Sequence, residues 1–191
     1  MILNIKKTVL ILLTFGLGLI FPSLSLSQNT SDSQYSPVVI LDHPQSMAEL
    51  LGKFEGKLIY IDLMASWCKP CIVELKESKK HESYFKKNDI IKLFISIDNK
   101  EDIEKAISMI QKDSLTGFFV SYHSREDTNK NSTFSQDIGT LFLRDENGDF
   151  DLSIPKYAIV NRMGELVETR AERPSNFESL KKQLEKYLGN E

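Results

Sequence analysis

The chain has 191 residues, 41% of them hydrophobic, and a formal charge of −3 from 24 basic and 27 acidic side chains. That length accommodates one domain with a sizeable core. Mild acidity without a basic, aromatic-interleaved patch gives no support to nucleic-acid binding, and two cysteines in all leave no disulfide framework.

Residues 1–27 read as a targeting segment rather than as fold. Lys6 and Lys7 precede an apolar stretch, Thr8–Phe21, too short to span a bilayer comfortably. Small residues at Ser25 and Ser27 make an approximate cleavage pattern before Gln28. A cleaved export signal is the expectation, with an uncleaved N-terminal anchor as the alternative and the only foreseen tie to a membrane. Either way the domain faces a compartment outside the cytoplasm. Losing two lysines leaves 22 basic against 27 acidic residues, a charge of −5. Residues 28–37 are polar and predict a flexible leader; the domain is expected over 38–191.

Val38–Leu41 predicts a short strand. Ser46 with Glu49 is a capping box for a helix reaching about Phe54. Leu58–Met64 is apolar except for Asp62, as in a central buried strand. A helix is predicted from near Cys68 to about Lys87, then a buried strand over 90–97. Asp98-Asn99 is placed to cap a helix over 101–112. Phe118–Ser121 predicts a strand, 124–136 a polar loop, and 138–143 fits helix or strand. Asp145–Asp151 superficially resembles a calcium loop. Phe150 and Lys156 occupy its sixth and twelfth positions, so Asn147-Gly148 reads as a simple turn. Lys156–Val160 and Leu166–Thr169 form a hairpin pattern around Asn161-Arg162-Met163-Gly164. Ser175 with Glu178 is a second capping box, opening a helix to about Leu188. The order predicts an α/β sandwich: a central mixed β-sheet flanked by helices, with a short N-terminal extension.

Trp67-Cys68-Lys69-Pro70-Cys71 follows the first buried strand directly and holds both cysteines. A disulfide across so short a loop constrains the unfolded chain by only about 2 kcal/mol. It is a weak staple and suits a redox centre. Cys68 falls at a helix N-terminus, where free N–H groups and the helix dipole favour a thiolate. Lys69 adds a positive charge, Pro70 rigidifies the ring, and Cys71, one turn in, is the resolving thiol.

The stretch Ile61–Cys71 resembles the active-site segment of thioredoxin-fold proteins. With the export signal and Glu74 it is most similar to the exported TlpA/ResA-like thiol-disulfide oxidoreductases. The resemblance implies a thioredoxin-like fold and a cis-proline facing the disulfide, matched by Ile154-Pro155. It also implies a buried acid, Asp62, that takes the proton of Cys71, and a role for Glu74; the alternatives are an inert strand-end acid and a solvated helix face. Met64 departs from the usual tryptophan, which is expected to alter the surface near the site. Lys76 replaces a proline, removing a helix kink and leaving the placement of Glu74 open.

The implied activity is reduction of protein disulfides, since Lys-Pro between the cysteines resembles reducing members. Implied partners are protein thiols and disulfides (an apocytochrome in cytochrome c biogenesis, another oxidoreductase or a general pool) and an upstream redox partner, in the periplasm or otherwise exported. No cofactor is implied beyond the Cys68–Cys71 disulfide, and no metal: zinc would need His81 or His123 beside the cysteines, and nothing in the sequence brings them together. His43, His81 and His123 are expected on polar surfaces. The rival reading is a thioredoxin-fold binding or chaperone-like module whose disulfide is structural.

Overall fold

A computed structural model describes residues 38–123, 132–145 and 147–189. The signal, the leader and most of the polar 124–136 segment lie outside them. Within them run β1 (Val39–Ile40), α1 (Met47–Gly52), β2 (Leu58–Met64), α2 (Lys69–Lys80), α3 (Glu82–Lys87), β3 (Ile90–Ser96), α4 (Ile103–Lys112), β4 (Phe118–Ser121), α5 (Phe134–Phe142), β5 (Lys156–Val160), β6 (Leu166–Glu168) and α6 (Phe177–Leu188).

The six strands make one sheet in the order β1-β4-β3-β2-β5-β6. The first four are mutually parallel, and β5 and β6 run antiparallel to their neighbours in the sheet. This is the expected mixed sheet with helices on both faces, a thioredoxin-like fold. Alternation along β2 divides the core. Ile59, Ile61 and Leu63 face α1 and α5, packing on Leu50, Phe134, Ile138 and Phe142. Met64 faces the other way, among Cys71 and Leu75 of α2 and Ile103, Ala106 and Ile110 of α4. On that same side Leu58 and Tyr60 meet Phe85, Leu180 and Leu184 of α3 and α6. All seven β2 residues are buried, which is why the strand reads as a continuous apolar run.

Several local expectations are corrected. The helix predicted through Lys87 breaks at His81, which ends α2 and begins α3. His81 is not simply a surface residue: its ring stacks on Phe177, centroids 3.6 Å apart. His43 likewise packs edge-on against Phe134. The segment 138–143 is helical up to Phe142, with Leu143 as the C-cap, and α5 begins at Phe134, inside the stretch expected to be loop. Met64 is fully buried and belongs to the core rather than to the surface. Neither Asp98 nor Asn99 caps α4 through a side chain, and Ser175 does not cap α6, which starts after a 3-10 turn over Pro174–Asn176.

Candidate active site

The C-terminal end of β2 leads through Ala65–Trp67 into α2, and Cys68 is the N-cap of that helix. Its sulfur accepts a hydrogen bond from the backbone N–H of Cys71 at 3.2 Å. A sulfur takes the place usually held by a serine or aspartate oxygen, satisfying one of the donors every helix start leaves free. The two cysteines form a disulfide with an S–S distance of 2.07 Å. Pro70 stands in the first turn, where its missing N–H costs nothing. Cys68 keeps 4% of its surface and Cys71 1%, while the adjoining Trp67 is 52% exposed. Lys69 and Pro70 are exposed. Cys68 is therefore the more accessible of the two cysteines, next in sequence to the exposed indole of Trp67.

The segment before β5 closes the other wall. The Ile154–Pro155 peptide bond is cis, and the Ile154 carbonyl oxygen lies 3.6 Å from Cys68 Sγ. Residues 86 positions apart thus meet at the Cys68 sulfur because β5 pairs with β2, Leu63 opposite Lys156.

The turn carrying Trp67 is held from below by Asp98, at the end of β3. Its fully buried carboxylate accepts from Ser66 N at 2.8 Å and Ser66 Oγ at 2.7 Å, and from Ser96 Oγ at 2.6 Å. Three donors around one carboxylate fix the backbone two residues before Cys68. The sequence pattern suggests Asp98 only as a helix cap, and its inward turn depends on a serine 32 residues away.

Asp62 is 3% exposed and lies on the sheet face covered by α2. Burial pushes its carboxyl up to about 8; the nearby Lys92 ammonium opposes this and Glu74 reinforces it. Its Oδ1 has no hydrogen-bond partner among the described residues. An acid poised near neutrality, rather than an ionised one, sits beneath the redox helix.

Glu74, one turn beyond Cys71, is buried rather than a solvated face. It accepts from Ser175 N at 2.9 Å and Ser175 Oγ at 2.7 Å, with Arg173 Nη1 3.7 Å away. This joins α2 to the approach of α6, and it is the bond that takes Ser175 from its expected capping role. Lys76 is exposed, and α2 runs on past it to Lys80. Lys92, buried on β3, pairs with Glu82, which also accepts from Thr116 N at 3.1 Å and Oγ1 at 2.6 Å. Burial lowers the affinity of Lys92 for its proton, and Glu82 restores part of it.

A disulfide at a helix start, facing a cis-proline segment, lies on a mixed sheet of this order, and the redoxin family model matches residues 37–184. The chain belongs to the redoxin family. Its fold and its Cys68–Cys71 pair are those of a thioredoxin-like thiol-disulfide oxidoreductase. Among solved structures, a thioredoxin-like protein from Porphyromonas gingivalis is 18% identical with a TM-score of 0.51, covering 71% of this chain and 80% of that one. A protein from Bacteroides vulgatus described as a thiol-disulfide oxidoreductase is 29% identical with a TM-score of 0.48, covering 72% and 75%. One from Chlorobium tepidum described as the thiol:disulfide interchange protein DsbE is 18% identical with a TM-score of 0.48, covering 73% and 85%. No curated protein matches this redoxin significantly. Among the described residues no helix is long and apolar enough to cross a membrane, and no cluster of candidate metal ligands occurs.

Proposed function

We propose that this redoxin is an exported reductase of protein disulfides, working through the Cys68–Cys71 dithiol. The observation that carries the reading is the position of Cys68 Sγ, at the start of α2, accepting an N–H and facing the Ile154 carbonyl. In the reduced protein the same N–H and the helix dipole stabilise a thiolate on Cys68. That thiolate attacks one sulfur of a substrate disulfide; the S–S bond breaks and the other substrate sulfur leaves as a thiolate that takes a proton from water. Cys71 then gives its proton to the ionised fraction of Asp62 and attacks Cys68 Sγ. The mixed disulfide breaks, the second substrate sulfur leaves, and two electrons have passed from the protein to the substrate. Burial lifts the Asp62 carboxyl to about 8, which makes its ionised form a better proton acceptor for a thiol than an ordinary carboxylate.

Glu74 serves to anchor α2 to the 173–176 segment, and Pro155 to shape the surface on which a substrate backbone lies. Export rests on the residue 1–27 pattern, and the reducing direction on Lys69-Pro70. An upstream dithiol partner returns the electrons. The test is a Cys71→Ala variant exposed to an extract of exported proteins. Covalent adducts on Cys68 that dithiothreitol releases are expected. Partner binding without such adducts would instead favour a binding module with a structural disulfide.

A further inference from the structure

Asp62 is not alone in lacking a partner. Tyr157 of β5 is 4% exposed, and its hydroxyl likewise has no hydrogen-bond partner among the described residues. The two residues stand directly opposite each other, β2 pairing antiparallel with β5 in the register Asp62 to Tyr157. Opposed residues point to one face, with Cβ atoms about 4.5–5.5 Å apart. On that face Tyr157 packs with Leu58, Tyr60 and Leu180. Charges act across the same space: burial pushes the Tyr157 phenol up, Asp62 and Glu74 add to the rise, and Arg173 opposes it.

A neighbouring ring shows what a purely structural tyrosine does here. Tyr60 stacks on Tyr157, centroids 5.5 Å apart and planes 4° from parallel. It donates its hydroxyl to the Glu172 carbonyl at 2.8 Å. Tyr157 fills the same layer with its hydroxyl unused. Burying an unpaired hydroxyl is costly, and phenylalanine would fill the space without that cost. The other polar groups around Asp62 are committed. Glu74 accepts from Ser175 on both oxygens, and Lys92 is paired with Glu82. That leaves Tyr157, directly across the strand, as a donor without an acceptor.

A neutral carboxyl and an ionised one make different demands. Asp62 Oδ1 goes without a donor while the acid is protonated; once ionised, a buried carboxylate needs one. We propose that Tyr157 is the positioning residue for Asp62: its hydroxyl donates, itself or through one shared water molecule, the hydrogen bond that Asp62 takes up when it ionises. The phenol keeps its proton throughout. Asp62 loses its own proton to solvent and then receives that of Cys71. Tyr157 thereby sets the fraction of Asp62 able to accept the Cys71 proton at a given pH. The other titratable groups acting on this pair are Tyr60 on β2, Glu74 on α2, Lys92 on β3 with its partner Glu82 on α3, and Arg173 before α6. All of them are kept in the test.

The inference rests on the reading of Asp62 as proton acceptor for Cys71, and the experiment separates the two. Tyr157→Phe keeps the ring stack and removes only the hydroxyl. The carboxyl stretch of Asp62, assigned by its loss in Asp62→Asn, is titrated by infrared spectroscopy in the oxidised full chain without substrate. Tyr157→Phe is expected to raise the midpoint by about one pH unit, as loss of one hydrogen bond to a carboxylate does, leaving about a tenth as much ionised Asp62 at pH 7. Reduced protein is then mixed with excess hydroxyethyl disulfide. Release of the mixed disulfide is followed by the fluorescence of Trp67, the chain's single tryptophan. That step is expected to slow about tenfold at pH 7 and to match the native rate above about pH 10, where Cys71 ionises unaided. In an Asp62→Asn background Tyr157→Phe is expected to change nothing, and alkylation of Cys68 against pH stays native. An unmoved infrared midpoint overturns the inference. So does an equal slowing at every pH or in both backgrounds, which is what lost packing would produce. A native release rate in Asp62→Asn would instead remove the acceptor role beneath it, while the infrared midpoint still decides whether Tyr157 serves Asp62.

Discussion

Replacing Asp62 by asparagine is the perturbation that most directly probes the chemistry beneath the redox helix. The side chain is buried at 3% exposure on the central strand, and burial lifts its carboxyl to about 8. Unfolded, it would titrate near its ordinary value of about 3.9. The folded state therefore holds this proton more tightly than the unfolded state. Its contribution is fully present below about pH 4 and is lost as pH rises towards 8. Each pH unit in that window removes about 1.4 kcal/mol, so near pH 7 the loss approaches about 4 kcal/mol. Against a typical total of about 5–15 kcal/mol this is large. The substituted amide has no proton to lose in this range. Urea unfolding of the oxidised protein at pH 5, 7 and 8.5 should show native stability falling steeply and the Asp62→Asn variant gaining on it by several kcal/mol. Midpoints that fall in parallel for both proteins would refute the reasoning. So would a variant weaker at every pH, which would mean that Asp62 is an ionised, satisfied group.

Other consequences concern the groups around it. Glu82→Gln leaves Lys92 buried without its counter-ion and should cost about 3–5 kcal/mol in denaturant unfolding. Replacing both residues of that pair by apolar ones of similar volume should cost much less. Asp98→Ala strands the donors of Ser66 and Ser96 at about 1–3 kcal/mol each. It should also change the iodoacetamide reactivity of Cys68 in the reduced protein, because the turn before it loses its anchor. Ser175→Ala removes one of the two bonds to the Glu74 carboxylate and should cost about 1.5–3 kcal/mol, read as a lower urea midpoint.

What could be read from the sequence followed from burial and local geometry. β2 and β3 are buried almost throughout, so their apolar runs announce them. The β5–β6 hairpin is announced by its Asn161–Gly164 turn, in which Gly164 takes a positive φ of 81°. The disulfide and its helix start follow from five consecutive residues. What escaped depends on distant partners. α5 shows only the stripe Phe134, Ile138 and Phe142 after a polar stretch, too short to separate helix from strand. The break at His81 has no glycine or proline to mark it, and a ring 96 positions along the chain stacks there. Ser175 and Asp98 look like caps because capping residues are also good partners for buried acids and backbone. Only the fold reveals that Ser175 reaches Glu74 across 101 residues.

The proposed chemistry depends on whether the sulfur of Cys68, freed from its disulfide, is ionised at neutral pH. In the reduced protein, the rate of Cys68 alkylation against pH, located by mass spectrometry, measures this. An apparent pKa clearly below the free thiol's value of about 8.5, in the range of about 6–7.5, is the result predicted for a thiolate held by the Cys71 N–H and the start of α2. A value of about 9 or above would contradict it.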